Sequence, residues 1–531
     1  MDDALSYNAA VWLVDRQVAD GNGARTAFRF RGESITYAHV LDDVLRVQRA
    51  IEELGLDAGD RVAIVALDEP GFVAWFVGSL RAGLVPVPLS TMLKAADIVA
   101  IVADAGARVV VVSEPFVAYL AAIAQGAPTV TDAIVLADSL PAADSLSDAA
   151  PVADTYGAIR MHADGTLGRS GTSVPDPAPT TATSPAFWLY SSGTTGTPKG
   201  VMHRHRSLQA TAETYASSVL GFRSDDRVLS VAKLFFAFGL GNSLTFPLSA
   251  GANAVLNPDP PTPTAIARLL ETERPTLFFA SPGFIAAILD AGIEPEVFSS
   301  VRLTATAGEA LPADLARRFA ERYGHPVLDG LGTSEALHIF LSNRIDAQRD
   351  GTSGRPVDGY EIELRDDSGA VVTEAEQPGF LHVRGPSIAD GYWGRPEASA
   401  ETFRDGWLRT GDVYVCSADG FYRFLGRNND MIKAGGIWVS PAEVESVLIE
   451  HPDVLEAAVV GARNAEGLET TVAFVVPRAG HTIDDSSIEA HCRERMATFK
   501  RPRRLIVVDT LPKTATGKVQ RFALRRSLKS E

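Results

Sequence analysis

Tyr190-Ser191-Ser192-Gly193-Thr194-Thr195-Gly196-Thr197-Pro198-Lys199-Gly200 is the stretch from which the rest of the chain is interpreted. It contains three glycines, five serine or threonine hydroxyls and one lysine. Backbone N–H groups freed by glycine, together with hydroxyls and an ammonium group, can surround an anion. Strand-like residues 186–190 precede the stretch and residues 201–203 resume an ordered element, which disfavours a flexible linker. The stretch therefore predicts a phosphate-binding loop.

This loop differs from the Walker A motif, in which a Gly, four further residues and Gly-Lys-Ser/Thr follow one another. Pro198 precedes Lys199 here, and Gly200 follows it. Phosphate capture at a helix N-terminus is therefore a poor fit, and a plain ATPase is disfavoured.

Composition excludes several classes of protein. With 531 residues, 46% of them hydrophobic and 22% charged, the chain predicts an ordinary globular protein of two or more domains. A net charge of −17 argues against nucleic acid or an anionic membrane as a partner. Cys416 and Cys492 are too few for a disulfide framework or a metal cluster. With no secretory pattern and no apolar run of about 18 residues, we expect a cytoplasmic protein.

Hydrophobic periodicity indicates an α/β fold. A helical pattern over 40–54 that ends at Gly55, a strand at 61–66, a helix at 72–82 and a strand at 84–89 predict parallel βαβ units, and this texture continues to about 186. The polar segment 139–184 is interpreted as a surface connection. Short alternating strands over 351–424 predict a small β-barrel-like subdomain, and an α+β tail follows.

An aromatic segment runs from Lys233 to Asn242, and residues 235–238 within it carry no charge. Its phenylalanines are either ordinary core or one wall of a small apolar pocket, beside which Gly239 and Gly241 are expected to leave open space. It carries no acidic residue that could pair with a substrate amine.

With these motifs in order, the chain resembles the acyl-adenylating (AMP-forming) superfamily of acyl- and aryl-CoA ligases, peptide-synthetase adenylation domains and beetle luciferases. The aromatic segment is most similar to that of benzoate-CoA ligases. The segments that carry the resemblance are 190–200, 233–242, 308–312, 329–335, 407–412, 426–436 and 512–521.

The resemblance implies a set of nucleotide-binding and catalytic residues. Lys518 would be the catalytic lysine of adenylation, Ser334 would contact the α-phosphate and Glu335 would bind Mg²⁺. The implied nucleotide-binding residues are Ser191, Ser192, Gly193, Thr194, Thr195, Lys199, Gly308, Glu309, Ala310, Asp329, Gly330, Leu331, Gly332, Asp412 and Arg427. Leu331 replaces a tyrosine that stacks on adenine in many relatives.

The resemblance also implies an acyl pocket, formed by Phe235, Phe236, Ala237, Phe238, Gly239, Thr333, His338 and Ile339. Phe238 departs from the tyrosine common in benzoate-CoA ligases, which leaves the identity of the acid open. For His338, a structural histidine is as good an interpretation as a substrate contact.

Two domains are implied. Residues 1–427 would form the N-terminal adenylate-forming domain, and residues 428–531 a small mobile C-terminal domain that carries Lys518. The hinge would be at Asn429, where relatives often have Asp. Residues Lys433, Gly435 and Gly436 would border the path of CoA.

The predicted function is that of an AMP-forming ligase, which uses ATP, Mg²⁺ and coenzyme A to convert benzoate or a related ring acid into its CoA thioester. The predicted partners are small molecules, with neither nucleic acid nor membrane, and the enzyme is expected to be a monomer or a homodimer. A stand-alone enzyme that loads an aryl acid onto a carrier protein, a short- or medium-chain fatty acyl-CoA ligase and a non-catalytic nucleotide sensor remain open.

Overall fold

The computed structural model of the chain describes residues 6–136, 159–168, 174–192, 198–434, 437–463, 469–513 and 519–528. Within them the fold is mixed α/β, with a large N-terminal part and a small C-terminal part, which confirms the predicted fold class. No helix in these ranges combines the length and apolar character that crossing a membrane requires.

A parallel sheet of five described strands forms near the N-terminus. Its strands, in spatial order, are Val85–Pro88, Arg61–Val65, Val109–Ser113, Asp132–Leu136 and Arg160–Ala163. The α-helices in this part of the chain are Tyr37–Glu53, Pro70–Arg81, Ala95–Ala105 and Leu120–Gly126. Residues 160–163 had been assigned to a surface connection, and that part of the interpretation was wrong. They are a short strand at the sheet's edge, where Arg160 and His162 pair with buried Asp132.

The helix Tyr37–Glu53 shows why the sequence pattern predicts such elements. Buried Val40, Val44, Val47 and Ile51 recur at helical spacing, so one face packs into the core. The Thr36 side chain accepts a hydrogen bond from the His39 N–H and caps the first turn. Gly55, with φ of +66°, follows the helix end where a glycine had been expected.

A second sheet has nine described strands, and these strands together with the segments between them contain most of the predicted site residues. Its order is Arg355–Pro356, Ile339–Ser342, Val327–Gly332, Leu303–Thr306, Leu277–Ala280, Arg227–Ser230, Asn253–Leu256, Thr26–Phe30 and Glu33–Thr36. The strands from 303–306 to 26–30 pair in parallel, and 327–332 joins them in parallel at 303–306. The associated α-helices are His205–Thr211, Ala237–Leu240, Phe246–Ala250, Pro263–Glu273, Pro282–Asp290 and Ala313–Tyr323.

An antiparallel ribbon and a five-stranded antiparallel sheet complete the large part. The ribbon consists of Pro185–Ser192 and Pro198–Arg204. The sheet contains Glu361–Arg365, Gly379–Arg384, Phe403–Arg404, Trp407–Cys416 and Tyr422–Arg427, and the helix Pro396–Thr402 lies beside it.

The C-terminal part has its own core on both faces of a three-stranded sheet. Its strands are Val454–Arg463, Glu469–Pro477 and Arg504–Val507, and the short pair Ile432–Ala434 and Ile437–Val439 precedes them. Its helices are Pro441–Ile449, Asp485–Arg495 and Arg521–Ser527. The predicted boundary at 427/428 falls between the strand Tyr422–Arg427 and a 3₁₀ turn at Asn428–Asp430.

Candidate active site

The phosphate-loop stretch is an antiparallel ribbon on both sides of its tip. Ser191 lies opposite Lys199 and Ser192 opposite Pro198. The Tyr190 ring covers Gly200, where a Cβ would lie 3.0 Å from the ring's Cζ, so a larger residue would have to displace the ring slightly. The tip, with Gly193, Thr194 and Thr195, lies outside the described residues. A strand rather than a helix follows the tip, as the comparison with the Walker A motif indicated.

Lys199, Tyr392 and Glu335 meet in what we call the phosphate corner. The Lys199 ammonium lies 4.9 Å from the centre of the Tyr392 ring. The Tyr392 hydroxyl donates a 2.8 Å hydrogen bond to Glu335 Oε1. Burial, and then the Glu335 carboxylate, raise the pKa of Tyr392, so the phenol keeps its proton at neutral pH. Two predicted site residues from different elements are thus brought together by a tyrosine that the sequence analysis did not identify.

A buried histidine holds the turn that presents Ser334 and Glu335. His203 Nε2 lies 2.8 Å from the Ser334 carbonyl oxygen, and because a carbonyl only accepts, this nitrogen carries the proton. The His203 ring stacks on Phe187 at 5.1 Å, and burial lowers its pKa to about 4. Thr333 caps the same turn, since its hydroxyl accepts from the Ala336 N–H at 3.1 Å. The glycine-spaced run 329–332 is the end of a strand, and the turn begins only at Thr333.

Asp329 is a buried carboxyl group on that strand. It accepts a hydrogen bond from the Thr306 hydroxyl at 3.1 Å, on the neighbouring strand. Burial raises the pKa of Asp329 to about 8, while donors from Thr306 and from the backbone of Leu311 and Gly330 oppose the rise. Gly330 and Gly332 let the strand 339–342 approach closely, and Leu331 is half-buried against the main core.

The Gly308–Ala310 turn follows the strand Leu303–Thr306, and Gly308 has φ of +97°. Ala310 and Asp329 border a cavity of about 380 Å³ whose opposite wall comes from the C-terminal part. Arg521, in the C-terminal part, interacts electrostatically with Glu309. Burial lowers the pKa of Arg521, but the carboxylates of Glu445, Asp430 and Glu309 together raise that pKa above its usual value.

Asp412 and Arg427 form an ion pair on adjacent strands. Arg427 Nε lies 3.0 Å from Asp412 Oδ1, and the two residues are register partners. The Asp412 carboxylate is the main cause of the raised pKa of Arg427. Asp412 lies within the ten-residue strand Trp407–Cys416, where its side chain is buried.

Residues 233–242 and His338 form what we call the acyl wall. The His338 ring centre lies 5.5 Å from Phe238, 4.6 Å from Phe246 and 5.2 Å from Tyr215. Burial lowers the pKa of His338 to about 3, against a smaller opposing effect of the Phe238 backbone, so the ring is neutral. Neither ring nitrogen makes a hydrogen bond of ordinary geometry to the described residues.

The other predicted pocket residues lie close by. Phe235 and Phe236 pack edge to face at 4.6 Å, and Ala237 begins the short helix that follows them. Ile339 is buried at the start of the next strand.

The glycines of the acyl wall serve close packing, and the expectation that they leave open space was wrong. A Cβ on Gly239 would lie 2.0 Å from the Lys233 carbonyl oxygen. One on Gly241 would lie 2.4 Å from His338 Cδ2. Each glycine is therefore required because another group already occupies the space beside it.

The predicted hinge and lysine are described only in part. Asn429 is exposed in the 3₁₀ turn, and Lys433 lies in a short strand opposite Trp438. Gly435, Gly436 and Lys518 lie outside the described residues. Within the described ranges, no cluster of three or more His, Cys, Asp or Glu side chains that could hold a metal ion occurs.

Comparison with known proteins identifies the family. The profile described as AMP-binding enzyme matches residues 15–393, and that of the AMP-binding enzyme C-terminal domain matches residues 443–518. The benzoate–CoA ligase of Thauera aromatica is 42% identical over 98% of this chain and 96% of its own. The 4-hydroxybenzoate–CoA/benzoate–CoA ligase of Rhodopseudomonas palustris is 40% identical over 98% of this chain and 94% of its own.

A solved structure of an aryl-CoA ligase also matches nearly the whole chain. The anthranilate CoA ligase AuaEII in complex with anthranoyl-AMP matches with a TM-score of 0.90 and 36% identity, covering 99% of this chain and 98% of that one. The resemblance inferred from the sequence motifs is confirmed.

Proposed function

Because the chain belongs to the AMP-binding enzyme family, we propose that it is an AMP-forming aryl-CoA ligase that activates benzoate or a closely related ring acid with MgATP and coenzyme A. The observation that carries the proposal is that one turn, Thr333–His338, contributes a residue to both the phosphate corner and the acyl wall. Glu335 at one end of this turn bonds to Tyr392, whose ring lies beside Lys199, and His338 at the other end lies among aromatic rings.

The first half-reaction joins the acid to AMP. A carboxylate oxygen of the acid attacks the α-phosphorus, the bond from that phosphorus to the bridging oxygen breaks, and pyrophosphate leaves. Lys199, with Thr194 and Thr195, would hold the β- and γ-phosphates. Lys518 would offset negative charge that develops on the phosphorus and carboxylate oxygens, an electrostatic effect of the kind that lowers barriers most.

Glu335 fits a magnesium ion that arrives with ATP, because a carboxylate is a hard oxygen ligand and Mg²⁺ takes few protein ligands when phosphates supply the others. The Tyr392 hydroxyl occupies one lone pair of Glu335 Oε1 and fixes its orientation. Asp412, oriented by Arg427, would accept hydrogen bonds from the ribose hydroxyls.

The second half-reaction transfers the acyl group. The sulfur of CoA attacks the carbonyl carbon of the acyl-adenylate, the bond from carbon to the phosphate oxygen breaks, AMP leaves and the thiol proton is released. Residues 428–531 would rotate about Asn429 between the two steps, so that Lys518 withdraws and the segment of Lys433, Gly435 and Gly436 comes to border the thiol.

The aromatic surroundings of His338 support a ring acid. Flat side chains favour a flat substrate, because stacked and edge-to-face contacts add to the energy of burial. A neutral histidine and the uncharged residues 234–242 provide no carboxylate to pair with a substrate amine, which disfavours amino acids.

The test is acid-dependent release of pyrophosphate from ATP, measured with ring and chain acids, each with and without CoA. We expect benzoate-like acids to give the fastest release, with AMP and an acyl-CoA as products when CoA is present. Release that ignores CoA would instead indicate transfer to a carrier protein, and preference for alkyl acids would indicate a fatty acyl-CoA ligase.

A further inference from the structure

Asp68 is a buried carboxylate where the five-stranded parallel sheet meets the nine-stranded sheet. It follows the strand Arg61–Val65 and lies 166 residues from the acyl wall in sequence. Its Oδ1 accepts a 3.0 Å hydrogen bond from the N–H of Leu234, and the side chain is 4% exposed. Nothing in the reaction proposed above uses this group.

Lys233, beside the bonded amide, adds a second connection. Its ammonium donates to the Asp259 carbonyl at 2.8 Å and also to the carbonyl of Asn257. Asp68 and Lys233 attract each other: burial raises the pKa of Asp68 to about 6, and the charge of Lys233 opposes that rise. The first residues of the acyl wall are thus held at two points. The Asp68 carboxylate accepts from the Leu234 N–H, and the Lys233 ammonium donates to carbonyls of the loop at 257–259.

The segment around Asp68 is itself fixed. The Leu67 N–H donates to the Ser113 hydroxyl at 2.9 Å, and that hydroxyl donates to the Glu69 carboxylate. The position of Asp68 is therefore set by the parallel sheet rather than by the wall that it contacts.

The backbone beyond Leu234 has little freedom to compensate. The Phe236 N–H bonds to the Lys233 carbonyl at 3.0 Å, and Gly239 packs directly against that carbonyl. A displacement at Lys233 and Leu234 would consequently move the phenylalanines that follow.

We infer that Asp68 is a positioning residue for acyl-substrate selection: through the Leu234 N–H it sets where the acyl wall stands relative to the ring of the acid. This inference rests on the proposed function for the identity of the substrate, but the contact itself is independent of it. Because the carboxylate acts on the wall and not on the nucleotide, its loss affects the acid and not ATP.

Asp68→Ala and Asp68→Asn separate the two contributions of the side chain. The alanine removes the acceptor of the Leu234 N–H, whereas the asparagine keeps an acceptor oxygen and loses the charge. Asp132→Ala is a matched control, because Asp132 is a buried, ion-paired carboxylate of the parallel sheet that bonds to Arg160 and His162.

For Asp68→Ala we expect the KM for the preferred ring acid to rise about tenfold, in line with loss of a hydrogen bond to a charged group, while the KM for ATP changes less than about twofold. Asp68→Asn restores most of the acid KM, and Asp132→Ala leaves the ratio of the two KM values unchanged. If the KM for the acid and the KM for ATP of Asp68→Ala changed by the same factor, or if neither changed, the inference would be overturned. If the alanine variant does not fold, Asp68→Leu, which also removes the acceptor of the Leu234 N–H but keeps the shape of the side chain, takes its place, and the same outcomes support or overturn the inference.

Hydrogen–deuterium exchange without substrate tests the contact on its own. Exchange of the peptide that covers residues 230–242 should accelerate in Asp68→Ala and remain at the wild-type rate in Asp132→Ala. A wild-type enzyme that activates no ring acid would end the proposed function, yet the exchange result would still decide whether Asp68 holds this segment. Unchanged exchange would refute the inference even in an active ligase.

Discussion

The acyl wall and the phosphate corner lie at opposite ends of the same short turn and are built from different groups. Phe238, Phe246 and Tyr215 surround a neutral His338, and their contacts are between rings. In the phosphate corner a cation, a phenol and a carboxylate come together around Tyr392. Under the proposed function, this difference would give two kinds of selection: the shape of the ring would be selected by packing, where a single methyl group matters, and the triphosphate would be bound by charge.

The largest effect is expected from Glu335→Gln. The amide keeps the size of the side chain and an acceptor for Tyr392 but loses the charge proposed to hold Mg²⁺. We expect acid-dependent pyrophosphate release to fall by about 10²–10³-fold, the range seen when one electrostatic contact to a transition state is lost. Steady-state rates at saturating acid measure it, with exposed Glu361→Gln, a carboxylate paired with Arg384, as the control. A rate within about threefold of wild type would remove Glu335 from the proposed role.

Gly241→Ala tests the close packing of the acyl wall against His338. Its Cβ would lie 2.4 Å from His338 Cδ2 and 2.6 Å from Nε2, so the histidine must move. Overpacking costs about 1–3 kcal/mol, and if this cost falls on binding of the ring acid it lowers kcat/KM by roughly five- to 150-fold. The ATP dependence should stay unchanged.

The control for that substitution is Gly23→Ala, where an added Cβ would meet neighbours at an ordinary 3.6 Å. If the acid KM of Gly241→Ala matched that of Gly23→Ala, the acyl wall would not be what contacts the acid.

Tyr392→Phe removes the hydrogen bond to Glu335 and leaves the ring beside Lys199. A hydrogen bond to a charged group contributes about 1.5–3 kcal/mol, and we expect a rate loss near the lower end, about tenfold. Initial rates at varied MgATP measure it. Tyr323→Phe, which loses a hydroxyl bond to the Ile293 carbonyl, serves as the control. Equal rates for the two variants would show that Tyr392 does not orient Glu335.

Asp329→Asn should have the smallest effect on activity at pH 7. Since the folded-state pKa of about 8 lies above the usual 3.8, the native carboxyl group is protonated there, and an amide resembles it in shape and charge. Between these two pKa values the folded wild type binds more protons than the unfolded chain, so this group lowers stability as pH rises from about 4 to 8.

The variant lacks that dependence. Its free energy of unfolding should therefore increase relative to wild type over the same interval and level off above pH 8. Denaturant unfolding at a series of pH values measures the difference. A constant difference across the interval would mean that Asp329 is ionised in the folded protein.

Much of the architecture could be predicted because it depends on residues close together in sequence. The periodicity of 40–54 and the glycine at 55 correctly placed a helix and its end. The same reasoning failed at Arg160–Ala163, where a short strand in a polar surrounding is recognisable only by its neighbour in the sheet. It also failed for Gly239 and Gly241, because a glycine that leaves room and one that yields room to another group look identical in sequence.

By itself, the sequence determined the order of the motifs, the alternation of strands and helices, and the residue types available for phosphate and ring recognition, since these follow from local backbone preferences and side-chain chemistry. Only the tertiary structure decided that Tyr392 orients Glu335, that Arg427 pairs with Asp412, that His338 is neutral among rings and that Asp68 holds Leu234. Each of these depends on burial or on contacts between separate elements. No local pattern encodes such contacts, because they form only when the sheets pack together.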